Sequence, residues 1–126
     1  AYIEAEKQRQ LEVMRKRRAQ YTAARSSIDP AGRIVIVVDD GLATGATMIS
    51  ALHALRARKP ARLIAAVPVS PPDTLRKVEK LADETVCLEA PEYFMAVGQF
   101  YAEFPQVEDE EVIALLRAAP RAQQHK

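Results

Sequence analysis

Hydrophobic and polar positions change period several times along this chain, and each change marks an element. Residues 2–24 lack Gly and Pro and are rich in Glu, Lys, Arg, Gln and Ala, all good helix formers. Ile3, Leu11, Met14 and Tyr21 supply only a narrow apolar stripe, which predicts a long helix lying on another surface rather than inside a core. "SSIDPAGR", residues 26–33, reads as a linker punctuated by Pro30 and Gly32. Ile34–Val38 is then apolar without interruption and largely β-branched, which predicts a strand buried on both faces, as in a parallel sheet.

Helical spacing returns from about Gly45 to Arg58, with Met48, Ile49, Leu52 and Leu55 on one side. "ARLIAAVPVS" predicts a second buried strand. Ser70-Pro71-Pro72-Asp73 predicts a helix start, with Ser70 as N-cap, Pro71 at the first helical position and Asp73 closing a capping box. That helix runs to about Leu81, and "ETVCLE" gives a third short strand. The segment "APEYFMAVGQFYAEFPQ" is aromatic and irregular, and "VEDEEVIALLRAA" predicts a last helix with its acids at the positive end of the macrodipole. The tail is expected to be disordered. Strand, helix, strand, helix, strand implies an α/β fold with a mostly parallel sheet. The expected division is an N-terminal helix at 1–25, a linker at 26–33, an α/β domain at 34–118 and a tail at 119–126. Three strands make a thin sheet, so the expectation is that this is the C-terminal portion of a larger doubly wound domain.

Composition narrows the class. A chain of 126 residues with 48% hydrophobic and 28% charged content suits one globular domain, and no apolar run approaches a membrane span. No signal peptide is evident, and the single cysteine, Cys87, excludes an internal disulfide, so a cytoplasmic location is expected. The net charge of +1 hides an asymmetry. Residues 1–25 carry seven basic and three acidic side chains, whereas residues 81–116 carry nine acids and no Lys or Arg. The two ends can attract each other, within one chain or between copies, and a homo-oligomer is expected.

The chemistry concentrates in "RIVIVVDDGLATGATM", residues 33–48. Ligands of an open parallel sheet sit beyond the carboxyl ends of its strands, where Asp39 and Asp40 fall. Adjacent carboxylates there accept hydrogen bonds and can hold a metal ion, which suits the vicinal hydroxyls of a sugar. Gly41 and Gly45 permit close backbone approach. The amides of Gly45, Ala46 and Thr47 are expected to point outward, unpaired, at the helix start, with the hydroxyls of Thr44 and Thr47 beside them. That is a phosphate cradle. A carboxylate pair for a diol next to an amide nest describes a site for ribose 5-phosphate.

Four apolar residues (Val35–Val38), two acids (Asp39, Asp40), three small or apolar residues (Gly41, Leu42, Ala43) and Thr44-Gly45-Ala46-Thr47 together resemble the phosphoribosyl pyrophosphate signature of the type I phosphoribosyltransferases. "VDDGLATGATM", "AVPVSPP" and "FMAVGQFYAEFPQVEDEEV" also resemble a branch of uncharacterised bacterial predicted phosphoribosyltransferases, so the resemblance spans nearly residues 1–117. It implies the phosphoribosyltransferase-type, Rossmann-like fold. It implies that Asp39 and Asp40 bind the ribose hydroxyls and stabilise an oxocarbenium-like transition state, and that Ala43, Thr44, Gly45, Ala46 and Thr47 bind the 5-phosphate. It implies Mg²⁺ as cofactor, bridging pyrophosphate and ribose and reached by Asp39 and Asp40 through water. The implied ligand is phosphoribosyl pyrophosphate or a nucleotide monophosphate, with displacement of pyrophosphate by a nitrogen nucleophile. Two departures stand out. Purine-salvage members similar in this loop carry an aspartate where Ala43 stands, and the family's pyrophosphate-binding loop belongs upstream of the first helix seen here. Half a site is therefore expected, and the alternative is a non-catalytic or regulatory phosphate-binding domain.

Competing readings are weaker. A receiver domain needs a third aspartate at the end of the next strand, where Val69-Ser70 stands, followed by a lysine. No Walker loop or G-x-G-x-x-G is present. Arg15–Arg18 reads as a solvated helix face rather than a nucleic-acid contact, because Glu4, Glu6 and Glu12 interrupt it and no aromatics interleave. Cys87 reads as a core residue and His53 as a surface or packing residue. Tyr93, Phe94, Phe100, Tyr101 and Phe104 read as satellite core. In the resembling family the region after the third strand forms part of a hood over the base, which makes Tyr93 and Phe94 candidates for stacking on it.

Overall fold

The structure, a computed structural model, describes residues 1–24 and 26–120. Arg25, at the end of the expected N-terminal helix, and residues 121–126 of the expected tail lie outside the described residues. Two compact units result: one comprises Ala1–Ile28 and the segment from Pro105 onward, the other Asp29–Phe104.

The second unit holds the sheet. Three strands, β1 (Ile34–Val38), β2 (Arg62–Val69) and β3 (Glu84–Glu89), pair in parallel in the order β1-β2-β3. Ile36 stands opposite Ile64 across the first pair, and Ala66 opposite Val86 across the second. Two helices make the crossovers. In chain order after the N-terminal helix α1 (Tyr2–Ala24), these are α2 (Ala46–Arg56) and α3 (Pro72–Glu79). Alternate residues of β2, Leu63, Ala65 and Val67, join Leu42, Met48, Leu52 and Val78 in one core between sheet and helices. The helix α2 stops where the apolar spacing does. Lys59 takes a left-handed conformation, φ 58°, and Pro60 follows, so neither residue continues the turn.

Two expectations fail, each for a physical reason. The strand β1 is not buried on both faces: Ile34, Ile36 and Val38 are 67%, 59% and 73% exposed. A sheet that advances β1 to β2 to β3 by crossovers of one hand places both helices on one face. The other face, which also carries the exposed Val86 and Leu88, is therefore left uncovered by α2 and α3. The capping box at Ser70 is also absent. Ser70 is fully buried, its amide donates to the Glu89 carbonyl and its hydroxyl to the Pro71 carbonyl. The residue still belongs to the sheet edge, so Pro71 becomes the N-cap, in extended conformation and without a side-chain bond.

In the other unit α1 packs on α4 (Asp109–Ala118). The acids Asp109, Glu110 and Glu111 occupy the first turn of α4, where the macrodipole favours them. Tyr21 donates to Asp109 at 2.7 Å, and Arg17 pairs with the same carboxylate at 3.3 Å. The basic helix thus meets the acidic segment within one chain. Among the described residues no helix is long and apolar enough to cross a membrane.

Candidate functional site

The chain beyond Val38 does not leave the sheet at once. Asp39 donates its amide to the Ala66 carbonyl and Leu42 to the Val69 carbonyl, so the loop runs beside the end of β2 before it rises into α2. This places Asp39 and Asp40 at the carboxyl edge of the sheet. Leu42, 2% exposed, anchors the middle of the loop in the core. Asp39 is half-buried, and its carboxylate accepts the Asp40 amide at 2.8 Å. Asp40 is held above the usual carboxylate range, first by desolvation and then by its proximity to the Asp39 carboxyl. Two like charges therefore crowd one turn.

Gly45 caps α2 in the left-handed region, φ 80° and ψ 4°. Glycine is required there twice over, because a Cβ would also lie 2.6 Å from Thr74 Cγ2. The Thr44 hydroxyl accepts the Ala46 amide at 3.4 Å, so the expectation that this amide is wholly unpaired is corrected to a loose local contact. The amides of Gly41, Thr44, Gly45, Thr47 and Met48 meet no protein acceptor among the described residues. A shallow cavity of about 160 Å³ opens over them, lined by Asp39 and residues 41–48. It brings together one of the two acids and all of Ala43, Thr44, Gly45, Ala46 and Thr47. Donors at one end and the Asp39 carboxylate at the other, with Asp40 beside it outside the lining, can bind an anion tethered to a hydroxylated group.

Tyr93 and Phe94 are not in that cavity. Tyr93 is 89% exposed, and Phe94 stacks on Phe100 with ring centroids 5.4 Å apart. A short 3₁₀ turn, Val97–Phe100, sits over the loop instead: a Cβ on Gly41 would lie 2.7 and 2.9 Å from the Val97 methyls. Tyr101 donates its hydroxyl to the Asp40 carbonyl, and Thr74 donates to the Ala43 carbonyl at 2.8 Å. Reading the sequence alone missed these three residues. The signals that point to Val97 and Thr74 are the two glycines whose missing side chains make room for them, and no such signal marks Tyr101. Cys87 is half-buried, its thiol pushed up by burial, in keeping with packing rather than reactivity. His53 is exposed. Among the described residues no group of three or more His, Cys, Asp or Glu is arranged to hold a metal.

Fold and loop together define an open parallel α/β protein with a strand–loop–helix turn and a shallow cavity at the carboxyl edge of its strands, where such folds place their ligands. A model of the phosphoribosyl transferase domain matches residues 2–105, and the chain belongs to that family. It is 40% identical over 121 residues to two Mycobacterium tuberculosis proteins, "Putative phosphoribosyl transferase MT0597" of strain CDC 1551 / Oshkosh and "Putative phosphoribosyl transferase Rv0571c" of strain ATCC 25618 / H37Rv. Those matches cover 96% of this chain and 27% of each relative. The crystal structure of TT1426 from Thermus thermophilus superposes with a TM-score of 0.81 at 42% identity, covering 92% of this chain and 55% of that one. The chain thus spans about a quarter of the curated relatives it matches and about half of the solved one.

Proposed function

We propose that this chain carries the ribose 5-phosphate half of a phosphoribosyl-binding site, and that in a complete protein this half-site serves phosphoribosyl transfer to a nitrogenous base. The observation that carries the reading is the set of unpaired amides around the start of α2, directly after two carboxylates that crowd each other. The amides of Thr44, Gly45 and Thr47, with the Thr44 and Thr47 hydroxyls, would donate to the 5-phosphate. Asp39 and Asp40 would accept from the ribose hydroxyls, as charge-assisted bonds. As the bond from C1 to pyrophosphate breaks and that to the base nitrogen forms, positive charge develops on the ribose ring. On this reading the two carboxylates would oppose that charge electrostatically.

Mg²⁺ fits the donor set. Two adjacent carboxylates, one of them held above its usual range by burial and by the other, gain from a nearby cation. Mg²⁺ is usually bound through one or two carboxylates, water and substrate oxygens rather than a protein cage. Asp39 and Asp40 would hold it through water, and it would supply neutralisation of the pyrophosphate charge.

A second reading is a non-catalytic domain that binds a sugar phosphate or nucleotide. It is favoured by the absence of Lys and Arg from 81–116, which leaves the segment after β3 without a cation for a leaving pyrophosphate. Titration with ribose 5-phosphate, followed by amide shifts, tests the shared half of both readings. The largest shifts are expected within residues 39–48, and shifts centred elsewhere would reject the site. Pyrophosphate release across a panel of purine and pyrimidine bases separates the two. Binding without turnover, in a chain extended to the length of the relatives, would favour the second.

A further inference from the structure

We propose that Thr74 and Tyr101, both outside the loop, are positioning residues that set the direction of its amides, Thr74 aiming the Thr44 amide at the anion and Tyr101 fixing the Gly41 amide at the start of the loop. The inference rests on the ribose 5-phosphate reading for the identity of that anion, and on peptide geometry for everything else. In a trans peptide the carbonyl and the following N–H point in opposite directions. Whatever grips the carbonyl of one residue therefore sets the direction of the next residue's amide.

Thr74 is 6% exposed, and its hydroxyl donates to the Ala43 carbonyl at 2.8 Å. The oxygen is drawn toward α3, and the Thr44 amide, on the same peptide, is turned away from it. Tyr101 does the same at the start of the loop. Its hydroxyl holds the Asp40 carbonyl, and the Gly41 amide shares that peptide. Both amides belong to residues lining the cavity, and both lack a protein acceptor among the described residues.

Such control matters because the loop is mostly small residues with few side-chain anchors. A flipped Ala43–Thr44 peptide would replace a donor by a carbonyl oxygen facing the anion. The geometry offers one further detail. The Thr74 methyl occupies the space that the missing Gly45 side chain leaves, so one side chain both fills the turn and orients its neighbour.

The test separates hydroxyl from methyl. Thr74→Val keeps the shape and loses the donor, whereas Thr74→Ser keeps the donor and loses the methyl. Ribose 5-phosphate affinity is expected to fall roughly tenfold in Thr74→Val and to stay within about twofold in Thr74→Ser, the scale of one charge-assisted hydrogen bond. Residual dipolar couplings on the ligand-free chain should show the Thr44 N–H vector reoriented in Thr74→Val and unmoved in Thr74→Ser. The Gly41 vector should reorient in Tyr101→Phe. Unmoved vectors in Thr74→Val and Tyr101→Phe, or affinity that follows the methyl instead of the hydroxyl, would overturn the proposal. Vectors that respond in a chain with no affinity for ribose 5-phosphate would uphold the positioning and reject the ligand reading.

Discussion

Gly45→Ala puts a number on how tightly the loop is held. The new Cβ meets two obstacles. The left-handed conformation at φ 80° costs an alanine about 1–2 kcal/mol. Its Cβ would also stand 2.6 Å from Thr74 Cγ2, closer than carbon atoms approach. Thr74 is buried, so turning it aside sacrifices its bond to the Ala43 carbonyl, worth about 1 kcal/mol. Against these stands the smaller entropy of an unfolded alanine, about 0.4–1 kcal/mol. The net destabilisation is about 2 kcal/mol, or a fall in Tm of roughly 8 °C for a domain of this size. Urea denaturation measures it, and a double-mutant cycle assigns it. In a Thr74→Ser background the clashing methyl is gone, so Gly45→Ala should cost about 1 kcal/mol less than in the wild type. Equal costs in both backgrounds, or a wild-type cost well under the roughly 1 kcal/mol of the left-handed turn alone, would refute the reasoning.

Other substitutions probe other parts of the unit. Asp40→Asn should raise Tm at neutral pH: Asp40 is raised above 3.8 in the fold, so its ionisation costs stability as pH climbs from 3.8 through the folded value. The gain should vanish below pH 3.8, and thermal melts across that window check it. Asp83 behaves oppositely. Arg56 and the Leu63 amide hold its carboxyl below 3.8, so its contribution is present above 3.8 and is lost as pH falls through the lowered value. Asp83→Asn should therefore lower Tm at neutral pH, with the difference closing in acid. Thr85→Val removes a buried hydroxyl that has no partner among the described residues and should stabilise the chain by up to about 1 kcal/mol in urea denaturation.

Local pattern and tertiary arrangement divide what the sequence reveals. The strands Ile34–Val38 and Glu84–Glu89 begin and end where their apolar or alternating runs do, because short strands between turn residues leave little latitude. The start of α3 differs from its sequence pattern because Ser70 has the chemistry of a cap but is already engaged. Its amide bonds to the distant Glu89, and nothing near Ser70 in sequence announces that. A run such as IVIVV likewise says that a strand can be buried on both faces, not which faces receive a cover. The direction in which the sheet grows decides that. At the site, Asp39 through Thr47 were legible because the loop is contiguous and its residue types are unusual together. Thr74 and Tyr101 were not, since a threonine early in a helix and a tyrosine among aromatics have ordinary uses.

The loop carries two opposite defects. At the end of β1 two carboxylates have more acceptor capacity than donors and repel each other, while a few residues later several amides have no acceptor among the described residues. Neither defect can relieve the other within the fold, since Leu42 is pinned in the core between them and Thr74 and Tyr101 hold the carbonyls on either side. An inorganic phosphate would satisfy the amides and leave the carboxylates as they are. A neutral diol would serve the carboxylates alone. One molecule with hydroxyl donors at one end and phosphate acceptors at the other addresses both, and its second contact is formed without a second loss of translational freedom. On the proposed ribose 5-phosphate reading, the contacts that hold the loop in place would therefore make a tethered sugar phosphate a better fit than its separate parts.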